Sequence, residues 1–268
     1  MRILNREDVS DLCMGATVLG TGGGGSPELG LFILNRMLEM GKEIRMVSVG
    51  EVPDEEIVIH PAMVGSIAPV QKKKRDEEEY ITRLLSVEGP LLSGLRILEE
   101  VLSKNIYATV PVELGGYNTP VAAILAALAG LPFVDGDTIG RAKPELMMQT
   151  YTIHNIPITP MVLTDIKGNS VLVRKVSSFK DAEKIASVTF LFIPHKSLAK
   201  SLLALIDLVR TASGQFLSVY TEYTPCHYRL CSSRRATCFG LRISHLPPLI
   251  VYLPCSSCPS LFHLCSNA

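Results

Sequence analysis

Four consecutive glycines, Gly22 to Gly25, followed by Ser26 and Pro27, are the residues of this chain best suited to hold a ligand. Glycine has no Cβ and lets another group approach the backbone closely. Ser26 is a good helix N-cap, and Pro27 suits the first helical position because its missing N–H would be unpaired there anyway. A helix start offers N–H groups and a partial positive charge, so it would stabilise an anion or a developing oxyanion. A second polar set recurs later in the chain: Glu113, Asn118, Asp135, Asp137, Arg141 and Glu145. Carboxylates that face one cleft perturb one another's pKa values, which leaves one as a general base or lets several hold a divalent metal. Caps, turns and a surface ion pair are the bland account of the same residues.

The glycines alone do not name the ligand. Gly20, Gly22 and Gly25 satisfy the G-x-G-x-x-G dinucleotide fingerprint, with Ala16 to Leu19 read as the end of a buried strand. The acidic residue that this fingerprint needs is represented only by Glu51, about six residues late. No Lys-Ser or Lys-Thr follows the glycines, which excludes a P-loop. A small-molecule site is the preferred reading, with a nucleotide disfavoured and a purely structural tight turn still open.

The elements that must position these residues read as an α/β layer. Asp8 to Met14 is predicted as a short opening helix, and Leu29, Phe32, Ile33, Met37 and Met40 recur at helical spacing up to Gly41. Strands are predicted at 44–49, at Ile57 to Ile59 running into His60-Pro61, and at Ile106 to Val112. The segment 63–69 reads as another glycine-containing loop, and the charge run from Lys72 to Glu79 as the solvated head of a helix. Pro90 to Lys104 is a helix with one apolar side. Glu113-Leu-Gly-Gly-Tyr-Asn118-Thr-Pro120 repeats the opening logic, with a strand end, two glycines, a polar cap and an apolar helix to Ala129. A short strand, Phe133-Val134, ends at Asp135, and Pro144 is expected to start a helix reaching Thr152. Alternation at these intervals predicts a largely parallel or mixed sheet flanked by helices, with ligands beyond the carboxyl ends of its strands. The glycine loop, the Glu113 loop and the 135–141 loop would then share one rim. Ile158 to Asp165 and Ser170 to Val176 read as a β-hairpin opening a second, β-rich unit, and Phe179 to Ala186 as an amphipathic helix.

Composition narrows the function classes. The 268 residues balance 26 Lys and Arg against 26 Asp and Glu and contain no Trp, so nucleic-acid binding has no electrostatic support. The longest apolar stretch, Val121 to Val134, is too short for a bilayer, and the polar N-terminus lacks a signal-peptide core. A soluble, cytoplasmic protein is expected, with a small-molecule substrate and room for homo-oligomerisation.

After about Ser187 the texture breaks. Residues 1–190 carry 24 acids against 19 Lys and Arg, whereas 191–268 carry only Asp207 and Glu222 against seven. Six of the seven cysteines lie beyond residue 225. Phe190 to His195 reads as a strand and Leu198 to Val209 as a helix, with little pattern after residue 213. Cys255, Cys258, His263 and Cys265 invite a zinc reading, but no matching half-site precedes them at the usual spacing. The expected explanation is translation in a shifted frame or through an intron, giving an atypical tail from 187 to 268 after an α/β domain (1–155) and the start of a β-rich domain (156–186).

Three motifs together point further: Leu19-Gly-Thr-Gly-Gly-Gly-Gly-Ser-Pro27, Glu113-Leu-Gly-Gly-Tyr-Asn118, and Asp135-Gly-Asp-Thr-Ile-Gly-Arg-Ala-Lys-Pro-Glu-Leu-Met-Met-Gln-Thr150. In these the chain resembles the S-methyl thiohydantoin desulfurase family, whose members are often linked or fused to hydantoinase/oxoprolinase proteins. The resemblance spans roughly residues 5–186. It implies an N-terminal α/β domain before a mostly β domain, and a hydrolase that releases methanethiol from a cyclic thiohydantoin. On that reading Asp135 or Asp137 is the base or a metal ligand, and Arg141 anchors a carbonyl or carboxylate. Glu113 and Asn118 orient the ring, while Gly22, Gly23, Gly24, Gly25, Ser26 and Glu145 line the substrate site. A non-catalytic module of a hydantoinase/oxoprolinase assembly, and an inactive truncated product, are the alternatives.

Overall fold

A computed structural model of the chain describes residues 1–64, 74–191, 203–210, 219–222, 239–243 and 249–251. The first unit, Met1–Ser218, is a mixed α/β structure. Its sheet combines β1 (Arg2–Ile3), β2 (Arg45–Ser48), β3 (Ile57–Val64), β4 (Ala108–Thr109), β5 (Pro132–Asp135), β6 (Met161–Thr164), β7 (Ser170–Val173) and β8 (Leu203–Arg210), in the order β1-β2-β5-β4-β3-β8-β6-β7. The strands β2, β5, β4 and β3 run parallel to one another, with β1 antiparallel at one edge. On the other side β8 pairs antiparallel with both β3 and β6, so the β6–β7 hairpin continues the same sheet. Helices α1 (Arg6–Gly20), α2 (Pro27–Glu39), α3 (Lys74–Leu84), α4 (Pro90–Leu102), α5 (Asn118–Ala129), α6 (Thr150–Ile153) and α7 (Phe179–Leu191) complete the unit. The second unit, from Val219, contains an antiparallel sheet of β9 (Val219–Glu222), β10 (Phe239–Ile243) and β11 (Leu249–Val251).

The opening segment differs from the sequence expectation. Residues 16–19 do not end a strand but belong to α1, which runs unbroken to Gly20. Asn5 caps the helix by accepting the N–H groups of Glu7 and Asp8 (2.8 and 3.0 Å), and Asp8 accepts the N–H of Asn5 in return. Val9, Leu12, Cys13, Ala16 and Gly20 are buried at helical spacing. Thr17, β-branched and a weak helix former, bonds back through its hydroxyl to the Cys13 carbonyl (2.6 Å). The glycine loop therefore joins two helices, and the strand–loop–helix context of a dinucleotide site is absent. Glu51 has other work: its carboxylate accepts the N–H and hydroxyl of Ser48 (2.8 and 2.9 Å) and pairs with the N-terminal ammonium.

Helix α5 is the hub. Asn118 to Ala127 are all buried, as expected of a helix that is apolar all round. It packs on β2, β3, β4 and β5 and on helices α1, α2 and α4. Against α2 the contact is close, since a methyl group on Gly30 would lie 2.6 Å from Pro120 Cγ. Strand β3 continues through Pro61 to Val64 rather than stopping near Ile59. Proline only removes a donor, and pairing with β4 has already ended at Ile59. Strand β4 is shorter than expected because side chains take its later carbonyls: His60 Nδ1 donates to Val110 and Thr138 to Val112 (2.8 and 2.6 Å).

Two further expectations fail. The segment after Pro144 is a series of turns, and α6 is only four residues long. Its N–H groups are spent elsewhere, with Lys143 donating to Glu113, Leu146 to Glu183 and Thr150 to the Thr138 carbonyl. Residues 203–210, read as helical from sequence, form β8. The end of the predicted 63–69 loop, most of the 190–195 segment and all six tail cysteines lie outside the described residues.

The glycine loop owes its composition to close packing against a second glycine pair. A methyl group on Gly24 would lie 2.4 Å from Gly115 Cα, and one on Gly25 would lie 2.7 Å from Tyr117 Cβ. Gly24 also has a left-handed φ of 73°. Gly22 has a φ of 87° as well, but its missing side chain faces open space. Gly24→Ala is therefore expected to cost about 3 kcal/mol or more, from strain plus overlap, whereas Gly22→Ala costs only about 1 kcal/mol. Denaturant unfolding of the two variants checks this; equal losses would remove the packing argument.

Candidate functional site

The two glycine loops meet at the mouth of a cleft of about 640 Å³. One wall is Gly22 to Gly25, and the floor is the end of β3 at Ala62 to Val64 with Val112 and Glu113. Tyr117 and Asn118 from the start of α5, residues 143–146, and Glu183, Ala186 and Ser187 of α7 complete it. The three sequence motifs thus converge on one space.

The start of α5 has no side-chain cap. The Gly24 carbonyl instead accepts the N–H groups of Tyr117 (2.7 Å) and Asn118 (2.9 Å). Those donors are consequently unavailable to a ligand, and Gly23 N–H is likewise given to the Gly20 carbonyl (2.8 Å). Ser26 caps α2 by accepting Leu29 N–H (3.2 Å) and donates its hydroxyl to Glu28 (2.7 Å). At the expected anion site, the glycine loop and the start of α2, the N–H groups of Gly23 and Leu29 are thus engaged within the protein.

Freed from capping, Asn118 turns its side chain to other use. Its Oδ1 accepts the N–H of Met63 (2.8 Å), and its Nδ2 donates to Glu113 Oε1 (2.7 Å). Glu113 Oε2 accepts the backbone N–H of Lys143 (2.5 Å). This buried carboxylate joins the end of β3, the start of α5 and the 135–144 loop, three elements far apart in sequence. Tyr117 is held by a hydroxyl–hydroxyl bond to Tyr80 of α3 (2.9 Å), and burial pushes both phenols above their ordinary range, so both stay protonated.

The remaining expected residues lie differently. Asp137, Asp135 and Arg141 are not among the cleft's lining residues. Asp137 is buried: Oδ1 accepts the N–H groups of Ile139 (2.7 Å) and Gly140, while Oδ2 has no hydrogen-bond partner among the described residues. Burial pushes its carboxyl up to about 6, against the pull of those two N–H groups and the nearby Lys143 charge. Asp135 is half-buried at the end of β5. Arg141 is exposed and folds its Nε onto the Ala142 carbonyl (3.3 Å), so the cleft's anchor is not drawn from it. Glu145 lines the cleft from an exposed position. Among the described residues, no three His, Cys, Asp or Glu side chains converge as a metal-binding group.

Sequence reasoning passed over several polar groups. Lys143 lines the cleft and donates Nζ to the buried Gln149 Oε1 (2.6 Å). Beside this network His60 is fully buried, donating Nδ1–H to Val110, so that its Nε2 accepts the Tyr151 hydroxyl (2.6 Å). Desolvation, aided by the Lys143 charge, holds the imidazole down at about 3. Lys143 and Gln149 stand inside the longest motif, which was a usable signal. Nothing local marks His60, whose partners are 50 and 91 residues away.

The sequence model of the family described as S-Me-THD-like, N-terminal domain, matches residues 7–175. No curated protein matches the chain. A crystal structure of a protein from Chromobacterium violaceum is similar at a TM-score of 0.57 and 24% identity, over 79% of this chain. The chain spans 56% of that protein's length, and at this identity the likeness concerns the fold.

His60 and Asp137 give opposite pH dependences. An unfolded imidazole titrates near 6.5, so as pH falls towards 3 the unfolded chain binds the extra proton, and the stability present above 6.5 is lost. The raised Asp137 carboxyl binds its proton earlier in the folded state, so stability rises as pH falls from about 6 to 3.8. On acidification from pH 7.5 to 4.5, His60→Gln should lose less stability than the parent by roughly 3 kcal/mol, and Asp137→Asn should lose more by about 2 kcal/mol. Urea unfolding at both pH values measures this, and parallel behaviour of all three proteins would contradict both assignments.

Proposed function

The chain belongs to the S-methyl thiohydantoin desulfurase-like family, and from that premise we propose that it hydrolyses a five-membered cyclic S-methyl thiohydantoin. Water adds to the ring carbon bearing sulfur, the C–S bond breaks, and the products are a hydantoin and methanethiol. One proton of the water ends on the ring nitrogen and the other on the departing sulfur.

The observation that carries this reading is the convergence of the glycine loop, the Glu113–Asn118 segment and residues 143–146 on one cleft. Its walls suit a small polar ring. Glu113 is a fixed carboxylate for a ring N–H, and Asn118 holds that carboxylate in place. Asp137 is assigned as the base in preference to Asp135. It keeps one oxygen without a hydrogen-bond partner among the described residues, and burial raises its carboxyl to about 6, close to neutrality, as suits a general base. Because it does not line the cleft, it would act through a water. Gly22 to Gly25 supply a wall that a flat ring can approach, whereas Arg141 has no role in this scheme.

One observation favours a second reading, a substrate-binding module without chemistry that works beside a hydantoinase/oxoprolinase partner. The N–H groups of Tyr117 and Asn118 are taken by Gly24, and within the glycine loop that of Gly23 is taken by Gly20, so these donors do not serve a developing charge. The two readings separate on one assay, in which the full chain is given an S-methyl thiohydantoin and free thiol is followed. The hydrolase reading expects methanethiol release, reduced at least about 100-fold in Asp137→Asn with the fold intact by circular dichroism. Ring binding without any thiol would support the module instead, and full activity in Asp137→Asn would remove Asp137 from the mechanism.

A further inference from the structure

The cleft has three carboxylates among its described lining residues, Glu113, Glu145 and Glu183, and a single cationic side chain, Lys143. Two bonds fix where that lysine stands. Its backbone N–H is held by Glu113 Oε2 (2.5 Å), and its ammonium by Gln149 Oε1 (2.6 Å). Gln149 is itself buried, its Oε1 3.4 Å from the Thr138 hydroxyl, which donates to the Val112 carbonyl of the cleft lining (2.6 Å). A long, rotamer-rich side chain is thereby tethered at both ends next to the carboxylate that would face a ring N–H.

The chemistry proposed above needs a cation there. When water adds to the carbon bearing sulfur, the C=N electron pair moves onto nitrogen. Where that nitrogen adjoins the ring carbonyl, the charge spreads to the carbonyl oxygen. Collapse returns the pair to carbon and expels methanethiolate, which takes up a proton. A fixed ammonium against that oxygen stabilises the addition step more than the bound substrate.

We propose that Lys143 is the catalytic cation of this cleft, binding the ring carbonyl oxygen of a thiohydantoin or hydantoin, with Gln149 as its positioning residue. This rests on the hydrolase reading for its catalytic part, but not for the binding contact. The role expected for Arg141 passes to Lys143.

The test uses the full chain and the variants Lys143→Met and Lys143→Arg, with methanethiol release and calorimetric binding of unsubstituted hydantoin as separate readouts. The Lys143 backbone bond to Glu113 does not need the side chain, so both variants retain it. The expected result is a loss of about 100-fold in kcat/KM for Lys143→Met, falling mainly on kcat, and hydantoin binding weakened about tenfold. Lys143→Arg should recover a substantial part of both, which a merely structural lysine would not require. Turnover and binding in Lys143→Met within about threefold of the parent would overturn the assignment while leaving the hydrolase reading in place. If the parent binds hydantoin through Lys143 but releases no thiol, the hydrolase reading falls and the contact stands. If the parent neither binds nor turns over, both fall.

Discussion

The carbonyl of Gly24 accepts the N–H groups of Tyr117 and Asn118, at the cap and first residue of α5, and this contact between two loops some ninety residues apart shapes everything around it. A backbone oxygen can reach a helix start this way only if the two chains touch without side chains between them. Gly24 lies against Gly115, and Gly116 against the Gly25 carbonyl. A buried helix with no polar cap of its own would otherwise leave orphaned donors in the core, at about 1–3 kcal/mol for each. Gly23, Gly24 and Gly25 are thus first a packing device, which fixes α2 and α5 relative to each other.

That device has a chemical consequence. Because Gly24 caps α5, Asn118 is released to bridge Met63 and Glu113, and Glu113 is released to hold the 143–146 segment. The cleft is built from these side chains, on backbone positions that the glycine contact has already set. Its polar groups form a connected set from β3 through Asn118, Glu113, Lys143 and Gln149 to Thr138. Such a set loses more than one contact when any member is removed.

The parallel sheet, the α4 and α5 helices and the β6–β7 hairpin were legible in the sequence, because apolar periodicity and turn residues are local signals. The lining of the candidate cleft was partly legible too: Glu113, Asn118, Glu145 and the glycines come together there. The errors share a cause. Residues 16–19 look like strand in isolation but extend a well-capped helix, and Asn118 looks like a cap although its cap duty is taken by a distant carbonyl. Pro144 looks like a helix start, yet the following N–H groups are claimed by Glu183 and Thr138. In the last two cases a long-range hydrogen bond overrode a local preference, whereas in the first a helix capped at Asn5 simply carried on through an apolar segment. His60 and Tyr151 form their pair only once β3 and α6 are adjacent, so no spacing rule could reveal it.

The central claim is that the space between the glycine loop and the Glu113 segment receives a hydantoin-like ring. Amide chemical-shift mapping of the full chain, titrated with hydantoin, tests it most directly. The account predicts saturable shifts concentrated at Gly22 to Gly25, Glu113 to Asn118 and Lys143 to Leu146, with little change on the outer turns of α1 and α4. Shifts confined to other surfaces, or none at millimolar ring, would contradict it.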